Sequence, residues 1–199
     1  MPQKIIIIRH GETDYNKERR IQGWLNIPLN TVGHQQAEQA ALLMAHQTIH
    51  ALYSSDLTRA HQTALHISAK VGIEVKLAPE LRERDMGIFA GWAWEKEPDE
   101  VKDKLWTEFE AARDSGVRDW KKHSGESIGD MSDRVSRFFR GIHQLHANQN
   151  IAIVSHGGTI NRILEHYGVK DVKEGYRTVG NASIIVLHKE ISTYRVEEL

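Results

Sequence analysis

The chain has 199 residues, enough for one sizeable domain with a real core. Its 26 basic and 27 acidic residues nearly balance, which gives no support to a general role on nucleic acid or on a membrane surface. It contains no cysteine, which excludes a disulfide framework and a thiol nucleophile. No apolar run approaches the ~20 residues a membrane helix needs, and the amino terminus lacks signal-peptide architecture. With no internal repeat and no Pro/Gly/Ser linker, the expectation is a single cytoplasmic domain over residues 1–199.

Residues 5–8 are four consecutive isoleucines, a run that suits a strand buried on both faces of a sheet. Arg9 and His10 follow at its carboxyl end, where ligands bind in open α/β sheets. Gly11 lets the backbone turn sharply there. A polar loop over 13–30 carries Asn16, Gln22, Gly23 and Trp24, and a loop beside a site often supplies substrate contacts. Asn30 is expected to cap a helix bearing Ala37, Ala40, Ala41 and Met44.

Residues 51–54 read as a second strand and Ser55-Asp56 as its turn and cap. The next helix buries Leu57, Ala60, Ala64, Ile67 and Val71. Arg59 falls in its first turn, where a cation opposes the helix dipole and calls for an anion, either a ligand or a carboxylate. A surface pair with Asp56 is the plain alternative. Residues 73–77 predict a third strand. Glu83, between Arg82 and Arg84, fits either a structural ion pair or a carboxylate held near a cationic pocket.

Residues 85–125 hold Trp92, Trp94, Trp106 and Trp120, with a helix expected near 99–113. Two readings stand for this segment: a lid over the site, or plain core. Gly125-Glu126-Ser127 opens the longest helix, whose buried face carries Ile128, Met131, Val135, Phe138, Phe139, Ile142 and Leu145. Residues 151–155 form another buried strand that ends in His156-Gly157-Gly158, next to a helix amino terminus that favours anions. Residues 184–187 and 193–196 read as a further strand and an edge strand. The remaining histidines, among them His34, His46, His50, His123, His143, His146 and His166, are expected to be mostly solvated.

Alternating strands and helices predict a three-layer α/β/α sandwich with a mostly parallel central sheet. In that fold His10, Arg59 and His156 all lie near strand carboxyl ends and converge. The natural guest of such a pocket is phosphate, which guanidinium matches bidentately. Two histidines beside fixed arginines make a poor metal site, so neither metal nor cofactor is expected. A phosphate beside a neutral imidazole invites transfer to its nitrogen, with the cations stabilising the transferring group. Glu83 is the candidate acid and base.

These motifs resemble the histidine phosphatase superfamily in its phosphoglycerate mutase-like branch. Arg9-His10-Gly11-Glu12-Thr13 matches the opening motif, and Asn16, Gln22-Gly23 and Pro28-Leu29 the following loop. Ser54-Ser55-Asp56-Leu57 with Arg59, then Leu81-Arg82-Glu83, Gly125-Glu126-Ser127 and Ser155-His156-Gly157 complete the set in order. The resemblance implies a phosphoglycerate mutase-like fold and phosphorylation of His10 during turnover. It implies phosphate contacts from Arg9, Arg59, His156 and Gly157, secondary contacts from Asn16, Gln22 and Gly23, and acid/base work by Glu83.

The expected activity is hydrolysis of a small phosphorylated metabolite. The alternatives are a cofactor-dependent mutase and a catalytically dead phosphate-binding module. Mutases of the family carry a longer basic insertion between the positions of Glu83 and His156, and the segment here is short and also acidic. Neither nucleic acid nor membrane is an expected partner, and a homo-oligomer is left open.

Overall fold

The computed structural model describes residues 1–93, 95–169, 179–190 and 193–198. Its strands are β1 (Lys4–Arg9), β2 (Ala51–Ser54), β3 (Val75–Leu77), β4 (Asn150–Ser155), β5 (Ile184–Lys189) and β6 (Tyr194–Glu198). Its helices are α1 (Asp14–Lys17), α2 (Thr31–Met44), α3 (Thr58–Val71), α4 (Glu100–Asp114), α5 (Ile128–Leu145) and α6 (Gly157–His166). The sheet runs β3-β2-β4-β1-β5-β6. Strands β1 to β4 are mutually parallel, β5 is antiparallel to β1, and β6 is antiparallel to β5.

The isoleucine run explains the layering. Successive side chains of a strand point to opposite faces. Ile5 and Ile7 pack with Val135, Phe138 and Phe139 of α5 and with Ile160, Ile163 and Leu164 of α6. Ile6 and Ile8 pack with Ala40, Ala41 and Met44 of α2 and with Ala60, Ala64 and Ile67 of α3. All four isoleucines are fully buried, and each such side chain contributes about 1.5–3 kcal/mol relative to an exposed one. The result is the expected α/β/α sandwich.

The register sets the site. Arg9 lies opposite Ser155, and Ile8 opposite Val154, which in turn faces Ser54. The chain therefore leaves β1, β4 and β2 at the same level. The helices that follow β1 and β4 cover opposite faces of the sheet, so a crevice opens between the two strand ends.

Several local expectations are corrected. Strand β3 is shorter than 73–77, because pairing with β2 starts at Val75. Asp56 does not cap α3. Leu57 is the N-cap and makes no side-chain bond, while Asp56 takes a bidentate pair from Arg82 at 2.5 and 2.7 Å. The surface pair of Arg59 with Asp56 is thereby ruled out. The loop after β1 contains a turn of helix, α1, closed by a capping box between Thr13 and Asn16. Asn30 caps α2 as expected, accepting from Gly33 N at 2.8 Å.

His123 and His146 are buried rather than solvated. His146 tucks back from the end of α5 between Tyr53 Oη at 2.8 Å and Gln149 Oε1 at 2.7 Å. His123 lies flat between Phe89 and Trp120. Trp92, Trp106 and Trp120 join Phe89 and Phe109 in an aromatic cluster separate from the sheet core. Trp94 lies outside the described residues.

Candidate active site

Gly11 begins the site, because its backbone sits against the first turn of α2. A Cβ at Gly11 would lie 2.4 Å from Gly33 O, and one at Gly33 would lie 2.0 Å from Glu12 O. This contact of two glycines holds the loop after β1 in place. Gly11 N also donates to Thr63 Oγ1 at 3.1 Å, tying the loop to α3.

His10 is buried at the end of β1. Its Nδ1 lies 2.7 Å from Gly11 O. A carbonyl only accepts, so Nδ1 carries the proton and Nε2 keeps its lone pair. Burial, then Arg59 and Arg9, holds the imidazole well below the usual histidine range, against the opposing effect of the Gly11 bond. His10 is thus neutral at pH 7, with a nucleophilic nitrogen.

Arg59 is 1% exposed, the largest fully buried side chain among the described residues. Its Nη1 and Nη2 donate to Leu25 O and Gly23 O, each at 2.8 Å. Gly23 presents that carbonyl from a left-handed backbone (φ +50°), which glycine adopts at no steric cost. Arg9 Nη1 donates to Val179 O. Burial lowers both guanidinium groups, Arg59 to about 10, with Glu83 acting in the opposite direction. Both stay charged at pH 7.

His156 is fully buried, with its ring 5.1 Å from that of His10. Its Nε2 meets Ser55 Oγ at 2.8 Å, and that hydroxyl already accepts from Leu57 N at 3.3 Å. A hydroxyl that accepts from Leu57 N can also donate to Nε2, and in that tautomer Nδ1 of His156 carries the proton. Burial, then Arg59, keeps this ring neutral too.

Among the described residues the buried donors Arg9 Nε and Arg59 Nε, and His156 Nδ1 in that tautomer, have no acceptor, and Gln22 Oε1 has no donor. Rotating the Gln22 amide would present an N–H instead. Buried polar groups are normally paired. A cluster of unpaired donors on two guanidinium groups and an imidazole has the chemistry of an oxyanion site.

Glu83 stands beside this cluster, and its neighbour Arg82 pairs with Asp56. Its Oε1 accepts from Arg84 N at 2.8 Å and its Oε2 from Gly158 N at 3.0 Å. The amino terminus of α6 is thus shared between Glu83, which takes the Gly158 amide, and Gly157, which lies 3.8 Å from the Arg9 guanidinium, measured from where its Cβ would stand. Asn16 is held in the capping box and by Asn181 Nδ2 at 3.3 Å, so its carbonyl oxygen is engaged in structure.

Four contributors carried no individual role in the sequence reading. Ser55 holds the His156 ring through Nε2. Gly158 leaves room for Glu83, since a Cβ there would lie 2.3 Å from Oε1. Arg134 and Glu126 form a bidentate pair at 2.7 and 2.8 Å. Arg134 also donates to the carbonyls of Glu80, Arg82 and Glu83, and Glu126 accepts from Asp85 N. Together they hold the loop that presents Glu83. The Gly125-Glu126-Ser127 motif signals this for Glu126, whereas nothing local marks Arg134.

Among the described residues, no group of three or more His, Cys, Asp or Glu side chains is placed to hold a metal, and no helix is long and apolar enough to cross a membrane.

The fold and the buried imidazole pair define a known class. The chain belongs to the histidine phosphatase superfamily (branch 1), whose model matches residues 5–199. It is a phosphatase of the histidine phosphatase type. It is 38% identical over 165 residues to phosphoglycerate mutase-like protein 4 of Arabidopsis thaliana, covering 81% of this chain and 70% of that protein. A metal-independent phosphoserine phosphatase of the same plant is 32% identical over 187 residues, covering 93% and 76%. A mycobacterial glucosyl-3-phosphoglycerate phosphatase, solved in complex with VO3, superposes with a TM-score of 0.81 at 26% identity, covering 98% of each chain.

Proposed function

We propose that His10, Arg9, Arg59, His156 and Glu83 carry out hydrolysis of a small phosphorylated metabolite in the cytoplasm. The observation that carries this reading is the cluster of buried donors without acceptors around the free Nε2 of His10. A phosphoryl group placed there receives bonds from Arg9, Arg59 and His156. Gln22, Gly157 and the loop around Asn16 and Gly23 complete the cradle.

The reaction runs in two steps. His10 Nε2 attacks phosphorus and the P–O bond to the alcohol breaks. Glu83 enters this step protonated, gives its proton to the departing oxygen and becomes the carboxylate. Water then attacks the phosphohistidine, Glu83 takes the water's proton, and phosphate leaves with His10 neutral again. The cations stabilise the charge of the transferring phosphoryl group in both steps. Two amides fix the Glu83 carboxylate but leave lone pairs to face the substrate. Met86, Trp106 and Phe109 line the space beside Glu83, on the leaving-group side of this reading.

Relatives named for phosphoserine and glucosyl-3-phosphoglycerate support a phosphorylated metabolite as substrate. The test is phosphate release from a panel of phosphomonoesters with no bisphosphate added. Steady turnover is expected. Interconversion of 3- and 2-phosphoglycerate that depends on bisphosphoglycerate and far exceeds hydrolysis would overturn the reading in favour of a mutase. Phosphate binding with no turnover on any ester would overturn it in favour of a non-catalytic module.

A further inference from the structure

A cavity of about 270 Å³ adjoins the candidate site, sharing Glu83 and Gly158 with it and walled by Met86, Trp106, Phe109 and Met131. Arg84 and Arg113 complete its lining. The shared residues matter, because Glu83 is the group that meets the leaving oxygen. Whatever is attached to that oxygen extends into this cavity. The inference therefore rests on the hydrolase reading and specifies its substrate.

The walls select the guest by shape. A cavity of roughly 150 Å³ holds a benzene molecule, so this one has room for a ring and a short substituent. Trp106 and Phe109 lie 5.3 Å apart between ring centroids, and methionines fill the remaining wall as adaptable apolar surface. A flat apolar body buries well against these walls.

The charges select the far end. The Arg84 guanidinium, on a residue only 6% exposed, lies 4.3 Å from the centroid of Phe109 and against Met86 Sδ at 3.2 and 3.3 Å. Arg113 lies 5.8 Å from the same centroid. Both arginines line the cavity and bring two positive charges to its wall. Arg113 pairs with Asp114 at 2.8 Å and Glu110 at 3.8 Å, but these carboxylates are 68% and 45% exposed. Such exposed pairs are weak, so Arg113 is able to turn toward a ligand. A carboxylate matches its planar fork.

We propose that this cavity is the leaving-group subsite and that it selects phosphomonoesters whose alcohol or phenol carries a flat apolar body ending in a carboxylate.

Non-hydrolysable phosphonates separate this recognition from the chemistry. Calorimetric affinities would be measured for 4-(phosphonomethyl)phenylacetate, for benzylphosphonate, which lacks the carboxylate, and for phosphonoacetate, which lacks the ring. The full compound is expected to bind about tenfold tighter or more than either truncated one, the usual scale of a charged hydrogen bond. In Arg113→Gln, a partly exposed position, its advantage over benzylphosphonate should collapse. The inference is overturned if the carboxylate adds nothing over benzylphosphonate, if the ring adds nothing over phosphonoacetate, or if Arg113→Gln keeps the full advantage. Failure of the hydrolase reading shows separately, as absent turnover of phenyl phosphate with this binding pattern intact.

Discussion

Gly158 N donates to Glu83 Oε2 at 3.0 Å, and any larger residue there must displace that carboxylate, since a Cβ on Gly158 would lie 2.3 Å from Oε1. The amino terminus of α6 is built around Glu83. Gly158→Ala should therefore push the carboxylate away while leaving the helix intact, because alanine is the better helix former by about 1 kcal/mol. Positioned acid/base catalysis is worth ~10²–10⁴-fold, and Glu83→Gln should lose a factor in that range. Gly158→Ala should lose a large part of it, more for alkyl phosphates than for p-nitrophenyl phosphate where phosphorylation limits the rate. Steady-state kinetics with both esters, beside a denaturation curve, check this. Wild-type rates on alkyl phosphates would refute the role given to Glu83.

Arg134 and Glu126 should matter for both stability and rate. Their side chains are only 10% and 17% exposed, and Arg134 also holds three carbonyls of the loop leading to Glu83. Removing one partner of a buried pair strands the other charge, at a cost of about 3–5 kcal/mol. Glu126→Gln should lower the urea midpoint accordingly and slow turnover. Arg134→Lys should not restore either, since an ammonium cannot reproduce the forked contacts. A stability loss of under about 1 kcal/mol in Arg134→Lys would show that the fork is dispensable.

These residues mark where the sequence stops being legible. Arg9, His10 and His156 could be read because a buried strand run ends abruptly in charge, and Arg59 because it sits at the wrong end of a helix dipole. Such conflicts are local. The α/β/α layering was equally plain in the alternation of strands and helices along the chain. Arg134 creates no local conflict, since it occupies a polar position of α5 and its meaning comes from the loop packed against it. Ser55 was quoted within a motif, yet its contact with His156 Nε2 depends on pairing across the sheet. His123 and His146 were misread because periodicity does not reveal that loop and helix-end side chains fold back into aromatic pockets.

Stability should fall on acidification. His123 is 0% exposed, and burial, then Arg84, lowers its pKa. Burial lowers His10 and His156 further. Below pH 6.5 the unfolded chain takes up protons that these folded rings refuse, so unfolding gains free energy as the pH drops. The stabilisation is complete above about 6.5 and lost progressively below it. Urea midpoints measured from pH 7.5 to 5 should decline. His123→Phe, which preserves the stack on Phe89 and Trp120, should decline less steeply, by at most about 1.4 kcal/mol per pH unit for one proton. Equal slopes would show that His123 does not titrate differently in the two states.

The role of His10 as the nucleophile is tested most directly by rapid-quench trapping with a phosphate-labelled ester. The wild-type protein should yield a transient, acid-labile phosphoenzyme that forms and decays at rates consistent with turnover. His10→Ala should form none, while still binding vanadate through Arg9, Arg59 and His156. A labelled phosphoenzyme in His10→Ala, or turnover in the wild type through direct transfer to water with no trapped intermediate at any time, would contradict the account.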